Sequence, residues 1–456
     1  MPTDKEIIEI ELNEWLEGKR RREMLDAERY YMGQQDILRT ERFGLNGNSG
    51  KIPLKFLPNN KIVDNQFALQ ADCKANYLLG KPFTVDYIAK NEGENALEEV
   101  IQGYFDADFH QTFKDSYLDA ILGQIAYIMP YYDKHGTLKI RGFKSFEILP
   151  FWADSLQREL EMAVYYHAQV TFEGKKRKVL ELVDVMYPSH VEFYIYDRGE
   201  LIPDIARGVH ANYIYLGNEG YSWGKIPLIP VKYASRETTL FAQTKSLQDA
   251  INKMRSDYLN NMENDCWTTI LVLENYDGAD LAEFRQNLAA FGAVKVRTID
   301  GVKGSVSTLN VEVNADNYDK IINSLTEALI RDMRGFDTNA NAKLGSAPNE
   351  MNIRSMYSGL DLDANGTEPF LRCALCDFLE YVRRDMRFRK AADFDPTRVK
   401  FVFNKDVMFN ESTVIDNIMK SRGLVSDRTL LMNHPYVNDV YEGYEDQTFR
   451  KSLNKT

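Results

Sequence analysis

The sequence predicts an α+β, helix-rich fold, and three observations carry that reading. Apolar residues recur at helical spacing over the first 32 residues and over 351–390. A shift to alternation marks a β-rich stretch from 137 to 235. Between 245 and 336 two helical stripes bracket a shorter segment with strand-like runs. At 456 residues the chain has length for roughly two to four folding units.

The elements follow in order. Residues 4–32 read as helical, with Ile7, Ile8, Leu12, Trp15 and Leu16 at helical spacing, Met24, Leu25 and Tyr31 after the basic run Lys19 to Arg22, and Gly33 as the stop. Residues 44–50 hold Gly44, Gly47 and Gly50 and read as a loop. A second helix is expected from 61 to 79, closed by Gly80-Lys81-Pro82, because proline cannot continue it. Val191-Glu192-Phe193-Tyr194-Ile195-Tyr196 typifies the β-rich stretch, which His135-Gly136 and Arg198-Gly199 punctuate as turns.

Leu247, Ala250, Ile251, Met254, Tyr258, Leu259 and Met262 form the first of the two stripes. Tyr318, Ile321, Ile322, Leu325, Leu329, Ile330 and Met333 form the second, which stops at Gly335. The segment between them carries the strand-like runs Ile270 to Leu273 and Ala293 to Val296 and an Asp300-Gly301 turn, so it reads as a small inserted domain. Residues 337–350 are small and polar, and a loop of that length inside a compact protein is functional or disordered. A long helical region over 351–390 is expected to break or kink where Gly366 and Pro369 fall close together. Residues 395–456 read as short helices.

Composition excludes several classes. Lys and Arg number 56 against 68 Asp and Glu, a formal charge of −12 that disfavours nonspecific adhesion to nucleic acid or an anionic membrane. The longest uncharged apolar stretch, Ala120 to Tyr132, contains Gln124 and Pro130 and falls short of the roughly 18–20 residues a membrane span needs. The N-terminus is charged from Asp4 and lacks the apolar core of a secretory signal. Cys73, Cys266, Cys373 and Cys376 are too few for a disulfide framework and suit a reducing compartment.

Candidate chemistry is sparse. A phosphate-cradling Gly-x-x-x-x-Gly-Lys-Ser/Thr loop is absent, because Leu45 and Ala75 stand where the first glycine belongs before Gly50-Lys51 and Gly80-Lys81. Asp361-x-Asp363-x-Asn365-Gly366 resembles the opening of a calcium loop, yet the closing position is Arg372, and a helix kink is the favoured reading. Cys373 and Cys376 lack a second ligand pair for zinc and read as reduced core thiols. His110, His135, His167, His190, His210 and His434 are scattered singly. The basic run Lys19-Arg20-Arg21-Arg22 is either a solvated helix face or a contact for nucleic acid or an acidic partner.

Leu57-Pro58-Asn59-Asn60-Lys61-Ile62-Val63-Asp64-Asn65, followed by Ala71-Asp72-Cys73-Lys74-Ala75-Asn76-Tyr77-Leu78-Leu79-Gly80-Lys81-Pro82, resembles the N-terminal signature of portal proteins of long-tailed bacteriophages. So do Tyr131-Tyr132-Asp133, Phe146-Glu147-Ile148-Leu149-Pro150, Phe401-Val402-Phe403-Asn404 and Arg422-Gly423-Leu424-Val425-Ser426 with Thr429, Leu430 and Pro435. The resemblance spans nearly the whole chain and implies a portal fold assembled as a ring of about twelve subunits. It implies a wing at 1–240, stem helices at 241–265 and 314–336, a clip at 266–313, a tunnel loop at 337–350, a long kinked wing helix at 351–394 and a crown at 395–456.

The resemblance also implies a structural protein, not an enzyme, with no cofactor and no metal. It would sit at the capsid vertex of the virion, after assembly in the host cytoplasm, and pass double-stranded DNA without sequence preference. Its expected partners are the terminase large subunit, the major capsid and scaffolding proteins and a head-completion adaptor. Asn339, Asn341, Lys343, Ser346 and Asn349 of the tunnel loop are the expected channel residues, Lys343 as a transient phosphate contact. The alternatives are a cytoplasmic metal-dependent enzyme on nucleic acid, which needs carboxylates converging on metal, and another head-tail adaptor.

Overall fold

A computed structural model of the chain describes residues 3–45, 51–53, 58–89, 95–154, 157, 159–235, 239–265, 270–274, 298–299, 302–303, 305–309, 315–337, 350–389, 393–405 and 418–422. It is mixed helix and strand, 49% and 25%. The helices, in chain order, are α1 (Asp4–Glu17), α2 (Lys19–Tyr31), α3 (Gln66–Leu79), α4 (Asn95–Gln102), α5 (Ala107–Gly123), α6 (Leu240–Asp265), α7 (Ala315–Asp332) and α8 (Glu350–Phe388). The chain forms two compact units: one of Met1–Ala27, Leu69–Ala242 and Met333–Thr456, the other of Glu28–Ala68 and Gln243–Asp332.

The first unit is built on an antiparallel sheet in the order Glu200–Pro203, Val191–Asp197, Lys176–Met186, Leu160–Glu173, Ile148–Trp152, with His210–Ala211 also on Val191–Asp197. Alternation gives the sheet two apolar faces. Val164, Val183 and Val185 meet Ile8 and Leu12 of α1 on one, while Ala163, Tyr165 and Met186 meet Ile125, Tyr127 and Phe143 on the other. The stretch 4–32 is helical as expected, divided into α1 and α2 where Gly18 adopts an extended backbone (φ −63°, ψ 146°). Thr3 caps α1 in a capping box with Glu6, and Gly33 (φ +77°) ends α2 as expected.

Aromatic side chains fill the other end of this unit. Phe83 packs edge-on to Phe105, Phe113 and Phe401, and Phe378 of α8 lies 4.8 Å from Phe109. Two expectations change here. Val399–Val402 is a strand paired with Thr84–Tyr87, not helix, because Val399 and Phe401 alternate into the aromatic core; residues 406–417 and 423–456 lie outside the described ones. Helix α8 also runs through Gly366 and Pro369 without a break. A proline in a helix interior costs about 3 kcal/mol, and the buried run Leu371, Ala374, Leu375, Phe378, Leu379 and Val382 outweighs it.

In the second unit the predicted apolar stripe of α6 holds only in part: Ile251 is buried, but Leu259 and Met262 are exposed. The buried stripe is polar. Gln248, Asn252, Ser256 and Asn260 recur every four residues and are each at most 2% exposed. Three of their partners are backbone N–H groups of the extended 60–64 segment, and the fourth is in the first turn of α3. Asn60 N–H donates to Asn260 Oδ1 (2.7 Å), Ile62 N–H to Ser256 Oγ (3.0 Å), Asp64 N–H to Asn252 Oδ1 (2.9 Å) and Phe67 N–H to Gln248 Oε1 (3.0 Å). Four helical residues rise about 6.0 Å, and two extended residues span about 6.6 Å, so the repeats match. This fits 61–65 being extended where a helix was expected, with α3 starting at Gln66: the Ile62 and Asp64 donors are already engaged by α6.

Asn65 closes the ladder at its upper end. Its amide donates to Tyr30 O and Tyr31 O, ending α2, and its oxygen accepts from Ala68 N–H in the first turn of α3. The buried Gln35 side chain bridges Asn65 and Asn252. Beside it, burial would raise the Asp36 carboxyl, but hydrogen bonds from Lys245, Tyr30 and Arg29 hold it well below its ordinary 3.8. Between α6 and α7, Ile270–Glu274 pairs with Ser305–Leu309 and Thr298–Ile299 with Val302–Lys303; the expected strand Ala293–Val296 lies outside the described residues.

Asn252→Ala removes the partners of the Asp64 N–H and of Gln35 Oε1, so the urea unfolding midpoint falls by the equivalent of ~3 kcal/mol. The exposed neighbour Lys253→Ala stays within about 0.5 kcal/mol. Asp36 stabilises the fold fully above its ordinary value of 3.8 and less as pH falls below it; the acid branch of a stability–pH curve therefore flattens in Asp36→Asn.

Candidate functional site at the root of the 338–349 loop

The described chain stops at Asp337 and resumes at Glu350, and both roots of the intervening segment are fastened to one face of α3. Gln70, Lys74 and Tyr77 are spaced i, i+4, i+7 and so share that face. Gln70 makes a two-bond clamp on the first root: its Nε2 donates to Phe336 O (3.0 Å) and its Oε1 accepts from Phe336 N–H (2.8 Å). The adjacent Gly335 is required, since a Cβ there would lie 1.9 Å from Gln70 Oε1. Arg334 before it turns the chain in the left-handed region (φ 50°), which is how α7 ends.

Lys74 sits at the centre. Its ammonium is 2.6 Å from Asp363 Oδ2 of α8, with the two side chains 1% and 5% exposed. Tyr233 donates its hydroxyl to the same carboxylate (2.7 Å), and Arg334 Nη1 lies 3.6 Å from it. Burial draws the Lys74 pKa down against the opposing attraction of Asp363, and burial with the Asp363 charge pushes the Tyr233 hydroxyl up. A desolvated ammonium held this way costs several kcal/mol unless its partner is in place.

The second root is held by rings. Tyr357, near the start of α8, stacks on Phe336 with centroids 4.5 Å apart and on Tyr77 at 6.0 Å. Tyr77 donates its hydroxyl to Asp361 one turn further along α8. One helical face therefore fixes where the loop leaves and where it returns.

The expected channel residues Asn339, Asn341, Lys343, Ser346 and Asn349 lie outside the described residues. The structure instead brings forward residues that pattern reading had passed over as site members. In Ala71–Leu79, Lys74 falls on the helical face of Ala71 and Leu78 and not with the polar Asp72 and Asn76, and a charge on that face, four residues after Gln70 and three before Tyr77, was the available signal.

Asp361, Asp363 and Asn365 lie on a continuous helix, with the Asp361 carboxylate engaged by Tyr77 and that of Asp363 by Lys74 and Tyr233. They do not form a calcium loop. Among the described residues no group of three or more His, Cys, Asp or Glu is placed to hold a metal. Cys373 and Cys376 are exposed rather than core thiols, because the turn of α8 they share faces away from the buried Ala374 and Leu375.

Ser189 Oγ is 2.8 Å from His190 Nδ1, and His190 Nε2 is 3.4 Å from Glu192, but these near-consecutive residues sit on a surface turn with no cleft described around them. In the first basic run, Arg21 is structural. It donates to Phe146 O and lies over the Trp15 and Tyr166 rings, and burial lowers its pKa. A second basic run, Lys175-Lys176-Arg177-Lys178, escaped the sequence reading and is fully exposed. Among the described residues no helix is long and apolar enough to cross a membrane.

The family model for phage portal protein, SPP1 Gp6-like, matches residues 16–449. A portal protein of Bacillus phage SPP1 is 24% identical over 424 residues, covering 92% of this chain and 82% of that protein. A portal protein of Clostridium phage phiCD119 is 22% identical over 438 residues, covering 93% of this chain and 92% of its own.

Asp363→Ala strands the Lys74 ammonium and lowers stability by about 3–5 kcal/mol in chemical denaturation, whereas the double replacement Lys74→Met with Asp363→Leu recovers most of that loss. Equal losses in the single and double variants would show that the pair is not the anchor of this root.

Proposed function

The chain belongs to the phage portal protein family, SPP1 Gp6-like, and we propose from that premise that it assembles head to tail into a ring at one capsid vertex. Double-stranded DNA passes inward through the bore during packaging and outward during ejection. The observation that carries this reading is the extent of the family match, residues 16–449, which takes in both long helices α6 and α7, the strands between them and the loop root. In this scheme residues 1–240 and 351–394 form the wing, 241–265 and 314–336 the stem, 266–313 the clip and 395–456 the crown. The clip faces the terminase motor first and the head-completion adaptor later, and capsid and scaffolding proteins surround the wing.

Residues 337–350 then serve as the tunnel loop. Asn339, Asn341, Ser346 and Asn349 offer neutral polar groups to the duplex, and Lys343 gives one transient phosphate contact. A net charge of −12 suits a bore that must let DNA slide: each phosphate neutralised releases counterions and tightens binding, so few cations mean little drag. The clamp by Gln70, Lys74 and Tyr77 supports this role, because a loop pushed by moving DNA needs roots that do not shift with it. No phosphate-cradling Gly-Lys loop is present in the sequence, which suits a passive conduit whose energy comes from the motor.

Native mass spectrometry and negative-stain imaging test the ring, and a monomer at every concentration and salt would overturn it. Deleting residues 338–349 while keeping both roots leaves ring mass unchanged and sharply lowers the DNA packaged per particle, because so polar a segment has too little apolar area to hold subunits together. Rings lost on that deletion would contradict the assignment.

A further inference from the structure

The paired strands Leu160–Glu173 and Lys176–Met186 form a ribbon whose longer arm has 14 residues, about 46 Å at 3.3 Å per residue. Its inner part is covered: Val164, Val183 and Val185 lie under α1, and Tyr166 lies under Arg21. Side chains two residues apart share a face, so Ala168, Val170 and Phe172 continue the face of Val164 and Tyr166. On the paired strand Glu181, opposite Ala168 and engaged by Tyr166 and Arg21, follows Val183 and Val185 on this face, and Val179, opposite Val170, lies beyond it. Beyond Tyr166 the cover ends, and Val170, Phe172 and Val179 are 43%, 70% and 49% exposed. The turn at the tip adds Lys175, Lys176 and Arg177, all exposed. An apolar strip bordered by cations is left bare at the end of a sheet face that a helix covers at its base.

The complementary surface is on the same chain. The face of α1 opposite Ile8 and Leu12 carries Glu6, Ile7, Ile10, Glu14 and Glu17 at helical spacing, with Ile7 and Ile10 37% and 61% exposed. It is apolar in the middle and acidic at its borders. It also points away from the sheet on which α1 lies, so one chain cannot close the two patches on each other. Two different, mutually complementary patches on one subunit are what a head-to-tail contact requires.

We propose that the outer face of α1 in one copy docks on the bare ribbon tip of the next, Ile7 and Ile10 against Val170, Phe172 and Val179, with Glu14 and Glu17 facing Lys175, Lys176 and Arg177. This rests on the ring assembly proposed above and names one of its contacts. A nucleic-acid duplex fits the tip less well, since it would leave the apolar strip uncovered.

The test is charge exchange in the full-length protein, read by native mass and mass photometry. Lys175→Glu, Lys176→Glu and Arg177→Glu together raise the concentration needed for half-assembly roughly tenfold in low salt, and adding Glu14→Lys and Glu17→Lys restores it. Phe172→Ser weakens assembly in high salt as well, where the charges are screened. If the parent chain forms rings and the reversed tip assembles equally well, the contact is overturned while the ring stands. If reversal weakens assembly and the α1 exchange fails to rescue it, α1 is not the occupant. Rings that form normally but lose retained DNA would instead make the tip a phosphate contact and overturn the proposal. A parent chain that never assembles removes the ring and this contact together.

Discussion

An extended chain can lie along a helix and spend its backbone donors on it only if both repeat at the same interval. In the second unit they do, about 6 Å for every four residues of α6 and every two of the 60–64 segment. Everything else in that unit follows from the match. The buried side of α6 must be polar, because each of Gln248, Asn252, Ser256 and Asn260 answers an N–H that would otherwise be orphaned. The 60–64 segment stays extended, and the last rung, from Phe67 N–H, already lies in the first turn of α3. The apolar residues Leu259 and Met262 of α6 are then left to face outward, which is the condition under which a long helix needs something outside its own unit.

The loop root in the first unit uses the opposite economy. A buried ion pair adds little net stability, and its cost when broken is large. That asymmetry suits a position more than a fold. Lys74 has one low-energy arrangement, with Asp363 and Tyr233 in place, and any shift of α8 relative to α3 within this unit strands a charge. The Gln70 amide adds direction, since its donor and acceptor read a single residue, Phe336, in both senses. Apolar packing alone would tolerate sliding by a residue or a turn, and these contacts do not.

Much of the fold was legible because it rests on periodicity. The β-rich stretch, the two long helices around an insertion, the Gly33 and Gly80 stops and the break after Met333 all follow from patterns of period two or 3.6 with glycine or proline at their ends. The errors share a cause. Residues 61–65 look helical because Ile62 and Val63 are apolar, and nothing local says that their donors belong to side chains nearly two hundred residues away. The apolar repeat on α6 from Leu247 to Met262 holds at Ile251 and fails at Leu259 and Met262, and the informative repeat is the polar one at 248, 252, 256 and 260. Asp363 was weighed as a cation ligand since its spacing resembled a loop, and its true partner, Lys74, is 289 positions distant in sequence. The run Lys175 to Lys178 was in plain view and needed only counting.

Helix α8 joins these themes. It has 39 residues, about 58 Å at 1.5 Å per residue, and it is pinned at widely separated points. Near its start Asp361 and Asp363 take Tyr77 and Lys74. Near its end the fully buried Asp385 accepts from Tyr104, Tyr132 and Arg389. Between them the apolar run from Leu371 to Val382 packs into the core, which also keeps Pro369 helical. A load applied at Glu350 is therefore not absorbed by the first turn. It meets a carboxylate that cannot release its ammonium cheaply, and behind that a continuous rod seated in aromatic packing. The two places where the described chain stops and resumes are held by contacts that are costly to break one at a time.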